Sequence, residues 1–146
     1  MFKLENIFIR ASIYEDINSI YELSKSSFTD PWSLRSYIEN FKSEPSKYFS
    51  LIYKNTLIGF LSLLVIENEI TITNIAIDKV FRHNGIGKIF LNYVLNEFER
   101  YEFFLEVRES NTPAINLYKY FNFVEIGKRI NYYKNPIENA LVMKKF

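Results

Sequence analysis

Two clusters of residues in this chain could do chemistry. In Arg82-His83-Asn84-Gly85-Ile86-Gly87-Lys88, two glycines stand among basic and amide side chains where a helix pattern begins. The first N–H groups of a helix have no intrahelical partner and carry the positive end of its dipole, and glycine lets a bulky anion approach them. The cluster therefore suits a polyanion such as a diphosphate. In Leu105-Glu106-Val107-Arg108-Glu109-Ser110-Asn111, running on to Tyr118, a carboxylate lies among apolar neighbours with a phenol downstream. A desolvated carboxylate favours proton uptake and a phenol can supply a proton, so this cluster suits acid–base work.

Each cluster also has a plainer reading. The glycine loop could simply turn a strand into a helix; it lacks the Gly-Lys-Ser/Thr ending of a P-loop and the three glycines of the dinucleotide fingerprint. Glu106 could face solvent or pair with Arg108, which strand alternation puts on the same face. Tyr118 is one of eleven tyrosines and could be a core aromatic. His83, the lone histidine, is far in sequence from Glu106 and suits a phosphate or solvent contact better than catalysis.

The elements that must hold these residues are legible from periodicity. Residues 8–11 read as a short strand, and Ile13, Ile17, Ile20 and Leu23 fall at helical spacing behind it. A second helix starts with Ser33 as cap and runs to about Phe41. Residues 48–53 and 57–66 read as strands joined around Lys54-Asn55-Thr56, and Ile70, Ile72, Ile75 and Ile77 mark a β-branched strand leading into the glycine loop. Phe90, Val94 and Phe98 form one row and Leu91 and Leu95 another, as in a long amphipathic helix. Strands over 103–107, 123–130 and 140–145 and a helix over 112–120 complete a mixed α/β sheet with helices on both faces. The two clusters thus bracket a βαβ-like unit.

Composition bounds the function classes. With 146 residues, the chain is expected to form a single domain, residues 1–146, large enough to bury roughly two-thirds of its unfolded surface. Nearly half of it is hydrophobic, at 48%, which calls for a packed core. Cysteine is absent, which excludes disulfides, thiolate metal sites and cysteine nucleophiles, and one histidine leaves no metal site expected. A net charge of +1 argues against direct nucleic-acid binding. The start Met1-Phe2-Lys3-Leu4-Glu5-Asn6 lacks a signal-peptide pattern, and the longest apolar run, residues 59–66, is far short of the ~20 residues of a membrane span. A cytoplasmic protein without a membrane contact is expected, as a monomer or weak dimer.

The loop matches Arg/Gln-x-x-Gly-x-Gly/Ala, and this pattern resembles the acetyl-CoA loop of the GNAT N-acetyltransferases. The likeness continues through Asn74-Ile75-Ala76-Ile77-Asp78 before it and, after it, Leu105-Glu106-Val107-Arg108-Glu109-Ser110-Asn111, Ala114-Ile115-Asn116-Leu117-Tyr118, Phe123 and Asn131-Tyr132-Tyr133. Over about residues 70–143, with a weaker echo at Pro31-Trp32-Ser33, the chain is similar to the RimI/Ard-type branch, which acetylates protein N-termini. The resemblance implies a GNAT fold of α+β type: a mixed, mostly antiparallel sheet of about six to seven strands with a splayed central pair and about four helices on both faces. It implies that Ile75, Ala76 and Ile77 line acetyl-CoA through backbone groups, with an N–H of Ile77 meeting the oxyanion. Arg82, His83, Asn84, Gly85, Ile86, Gly87 and Lys88 would hold its pyrophosphate, and Asn111 would contact the pantetheine or acetyl end.

The same resemblance implies direct transfer of acetyl to an α-amine, with Glu106 as general base, directly or through water, and Tyr118 as general acid. An α-amine titrates near pH ~8, against ~10.4 for lysine, so one carboxylate suffices. Trp32, Tyr132, Tyr133 and Glu138 would form the acceptor side, and aromatic packing at a strand end is the alternative for the three rings. The implied acceptor is a protein or peptide N-terminus, a ribosomal protein among them; a small amine, a lysine side chain, or a non-catalytic acyl-CoA-binding module are the alternatives. Departures fall on the acceptor side. Asp30 replaces an aromatic before Pro31, residues 134–139 are short, and Glu138-Asn139-Ala140 stands in place of Glu-Asp-Ala.

Overall fold

A computed structural model describes residues 3–146. Met1 and Phe2, on which the reading of the N-terminus partly rests, lie outside the described residues. The chain runs β1 (Ile7–Ala11), α1 (Ile17–Ser27), α2 (Leu34–Lys42), β2 (Ser46–Tyr53), β3 (Thr56–Ile66), β4 (Glu69–Ile77), α3 (Ile86–Glu97), β5 (Glu102–Arg108), α4 (Thr112–Tyr120), β6 (Val124–Tyr133) and β7 (Glu138–Lys145). The strands form one mixed sheet in the order β1-β2-β3-β4-β5-β7-β6. Every neighbouring pair is antiparallel except β4 and β5, the two strands that α3 connects. Among the described residues no helix is long and apolar enough to cross a membrane.

Each face of the sheet is buried by one pair of helices. Ile17, Ile20 and Leu23 of α1 and Tyr37 of α2 pack on Phe60 of β3 and Ala76 of β4. Phe90, Leu91 and Val94 of α3 and Ile115 and Tyr118 of α4 pack on Leu61, Ile72 and Leu105 from the other side. Full burial of such side chains is worth roughly 1.5–3 kcal/mol each, and here it draws on the rows at helical and strand spacing. Ser33 caps α2, its hydroxyl accepting from Ser36 N–H at 3.1 Å.

The splay between the central strands has a local cause. β4 and β5 pair only from Glu69↔Glu102 to Ile72↔Leu105, although both continue further. At that point β4 carries a bulge: Ser62 of β3 faces Asn74 while Leu63 faces Ile72, which leaves Thr73 as the extra residue. A bulge reverses the phase of the strand. Ile70 and Ile72 face α3 before it; Ile75 and Ile77 do so after it, with Asn74 and Ala76 turned to the α1/α2 face. The isoleucines of β4 thus change from even to odd numbers where the two strands part.

Candidate active site

The splay opens a cavity of about 370 Å³ beyond Ile72 and Leu105. Its walls are the diverging strand ends, Thr73, Asn74 and Ile75 on β4 and Glu106, Val107 and Arg108 on β5. Asn111, Ala114 and Tyr118 close it from the α4 side, and Phe28, Trp32, Tyr37 and Tyr133 close it from the other. Two residues distant in sequence, Glu106 and Tyr118, are thereby brought to one cavity.

Glu106 points to the α1/α2 face because Leu105 and Val107, on either side, are committed to the core against α3 and α4. Its partner is not Arg108, as alternation along β5 allowed. Arg129 on β6 forms an ion pair with Glu106 Oε2 through Nε, and Tyr132 donates its hydroxyl to Oε1 at 3.4 Å. Oε2 is shut off from solvent, and Arg129 meets it as a charge contact without an aligned hydrogen bond. Arg108 turns instead to Glu138 Oε1 at 3.2 Å and to the carbonyls of Lys134 and Pro136.

Tyr118 is buried, 5% exposed, with Phe123 tilted against its ring at 5.7 Å. Its ring is thus part of the core while its side chain still lines the cavity. Burial, with a smaller contribution from the Tyr133 phenol, pushes its hydroxyl above the ordinary phenol range. Tyr133 is pushed up to about 12 by burial and then by Glu106 and Tyr132, against the pull of Arg108.

The glycine loop lies at the far end of β4. Asp78 N–H donates to Ile58 O at 2.7 Å, which makes Gly59/Ile77 a pair without mutual backbone bonds. The backbone groups of Ile77 and Ile75 therefore point away from β3 into the splay, whereas those of Ala76 turn to Phe60. That corrects one expectation: Ala76 has no backbone group to offer a ligand in the splay, because the ladder to β3 consumes it. Arg82 Nε donates to Ile77 O at 2.9 Å and ties the loop to the strand end. Gly85 precedes α3 in the left-handed region at φ 75°, and among the described residues no side chain caps the helix, so the first-turn N–H groups of Ile86, Gly87 and Lys88 stay open. A Cβ on Gly87 would stand 3.5 Å from Leu117 Cδ2 and 3.7 Å from Ile77 Cδ1, which places the helix start between β4 and α4. His83 and Asn84 are exposed, and Asn84 Nδ2 donates to the carbonyls of Phe81 and Arg82. Lys88 sits over the Tyr120 ring at 4.0 Å. Residues 82–88 do not line the cavity that holds Glu106, so a ligand touching both must extend along Ile75 and Ile77.

Asn111 is the N-cap of α4, with Oδ1 accepting from Ala114 N–H at 3.3 Å, and its Nδ2 has no partner among the described residues. Trp32 lies tilted against Tyr37 at 5.3 Å and, like Tyr133, lines the cavity. Tyr132 is half-exposed, edge-on to Tyr133 at 5.1 Å. Glu138 stands apart from the cavity, because both its oxygens are used: Oε2 accepts from Ser110 N–H at 2.6 Å and Oε1 from Arg108. It pins residues 134–138 to the end of β5. Sequence reasoning missed Arg129, for which no local signal exists, and Asn74, whose signal was the shift of the isoleucine phase.

The comparisons with known proteins agree with this geometry. Residues 17–123 match the family model described as the Acetyltransferase (GNAT) family. A [ribosomal protein bS18]-alanine N-acetyltransferase of Haemophilus ducreyi is 32% identical over 143 residues, covering 92% of this chain and 97% of that protein. The enzyme of the same name from Escherichia coli is 31% identical over 133 residues, covering 88% and 89%. The crystal structure of the Escherichia coli ribosomal-protein-S18-alanine N-acetyltransferase superposes with a TM-score of 0.89 at 29% identity, covering 94% of this chain and 92% of that one. Ard1 from Thermoplasma volcanium gives 0.86 at 26% identity, covering 96% and 97%. With the splayed β4/β5 pair and the uncapped α3 in place, the chain belongs to the acetyltransferase (GNAT) family.

Proposed function

We propose that the protein transfers acetyl from acetyl-CoA to the N-terminal α-amine of a protein, with a ribosomal protein as the first acceptor to examine. The observation that carries this reading is the end of the β4/β5 ladder at Ile72–Leu105, which opens a cavity lined by Glu106, Tyr118 and Asn111. Relatives named for alanine N-acetylation support the acceptor class. Acetyl-CoA suits the residues present: a polyphosphate meets the open N–H groups of α3 beside Arg82 and Lys88, and an extended arm meets the outward backbone groups of Ile75 and Ile77. Asn111 Nδ2 is a donor for the far end of that arm.

When bound, acetyl-CoA supplies a thioester as acyl donor. Glu106 takes the proton that the amine loses as the C–N bond forms, and Tyr118 gives its proton to the sulfur as the C–S bond breaks. The raised phenol keeps that proton available at any physiological pH. An Ile77 N–H is the donor toward the carbonyl oxygen. Trp32 and Tyr133, which both line the cavity, flank the first acceptor residues, with Tyr132 beside Glu106. Incubation with acetyl-CoA and a panel of N-terminal peptides, polyamines and lysine peptides, read by thiol release and peptide mass, tests the proposal. Turnover on peptide α-amines supports it. Turnover confined to small amines or lysine overturns it, and tight CoA binding with no thiol release would mark a binding module.

A further inference from the structure

A polar chain at the bulge of β4 fixes the orientation of a side chain that the reaction scheme has not used. Thr73 Oγ1 lies 3.1 Å from Ser62 O and 2.7 Å from Ser62 Oγ; with Thr73 donating to the carbonyl, Ser62 is the donor between the two hydroxyls. Ser62 Oγ then has only lone pairs to offer, and Asn74 donates to it through Nδ2 at 3.2 Å. In this arrangement a flipped amide would set the Asn74 carbonyl against a lone pair of Ser62. Its Oδ1 is therefore held as an acceptor, and that oxygen has no protein partner among the described residues. Ser62 itself is fully buried, so the anchor of the chain does not exchange with solvent.

Asn74 and Glu106 lie on the same face of the sheet, on strands that part just before them, and both line the cavity. A neutral primary amine has two N–H bonds and one lone pair. Two acceptors on opposite walls, each taking one N–H, leave the lone pair as the third direction.

Resting on the acetyl-transfer reading above, we propose that Asn74 is a positioning residue for the acceptor amine, its Oδ1 accepting one N–H while Glu106, directly or through water, takes the other. Asn74 thus sets the direction of attack and favours primary over secondary amines. Ser62 and Thr73 act only through Asn74.

The test compares an alanine-initiated peptide with its N-methylalanine counterpart, which has a single N–H when neutral. Asn74→Ala is expected to lower kcat/KM on the primary amine about tenfold and on the N-methyl peptide by less than about threefold, with CoA affinity unchanged. Ser62→Ala, which leaves Asn74 present but unanchored, is expected to show a smaller loss with the same preference, and it carries the comparison alone if Asn74→Ala fails to fold. Equal loss on both amines, or none on either, overturns the role of Asn74. Should the wild type turn over small amines but no peptide, the acceptor class fails, and the same comparison on that amine and its N-methyl form decides Asn74 separately. Wild-type inactivity on every amine overturns both.

Discussion

Arg129 on β6 reaches across β7 to form an ion pair with Glu106 on β5, although the two strands share no backbone bond. The pair ties the proposed base to an edge strand whose other residues are largely exposed. Removing Arg129 would leave a solvent-shielded carboxylate oxygen without its counter-charge. The losses from Arg129→Leu and Glu106→Gln in kcat/KM should therefore be non-additive, with a coupling of roughly 0.5–3 kcal/mol in a double-mutant cycle. Strictly additive losses would show that the pair does not bear on the reaction.

Glu106→Gln keeps the shape of the side chain and removes its basicity. The expected result is a fall of roughly 10²–10⁴-fold in turnover with CoA affinity unchanged, read by thiol release and calorimetry. A parallel loss of CoA binding would contradict the division between the β5 end and the α3 loop.

Gly85 tests that division from the other side. A Cβ there meets nothing within 4 Å, so the effect of substitution is conformational, coming from φ 75°. Gly85→Val should shift the loop, misalign the first N–H groups of α3 and raise the Kd for CoA about tenfold; Gly85→Asn should cost less, because asparagine enters the left-handed region more readily. The ranking of the two Kd values is the measurement.

Tyr118 and Tyr133 make stability sensitive to alkali. Their folded pKa values lie above the unfolded ~10, so between pH ~10 and about 12 the unfolded chain has released protons that the folded chain still binds. This contribution is complete below ~10 and falls as pH rises through that window. Tyr118→Phe should flatten the decline in Tm above pH ~10, compared with wild type by thermal melts.

At the acid end, Asp16 is the sensitive group. Burial pushes its carboxyl up, but the Arg10 guanidinium, the Ile13 N–H and the Ser50 hydroxyl together hold it below the ordinary value. Its contribution is present above the unfolded ~3.9 and is lost as pH falls below that. Asp16→Asn should destabilise the fold at neutral pH by roughly 1.5–3 kcal/mol and remove part of the acid dependence, in urea melts at pH 7 and pH 3.

Much of the fold was legible because its signals are local. The cap at Ser33, the helix over 112–120, and the β4–α3–β5 unit stand where periodicity and turn chemistry put them, within a residue or two at most ends. The glycine loop was legible for the same reason: an open helix start and a left-handed Gly85 depend on neighbours in sequence. Asn74 was half legible, because the isoleucines of β4 record the change of phase but not what a bulge there would do.

By itself the sequence determined which residues could carry a proton or hold a polyanion, and which family pattern they follow, since residue type and spacing along the chain are all that those statements need. Only the tertiary structure decided that Glu106 pairs with Arg129 and not with Arg108, that Glu138 is spent holding a turn, that Ala76 offers no backbone group to the splay, and that Asn74 faces the same cavity as Glu106. Each of these depends on sheet order and strand register, which are set by packing both faces of seven strands against four helices and which no local stretch of sequence contains.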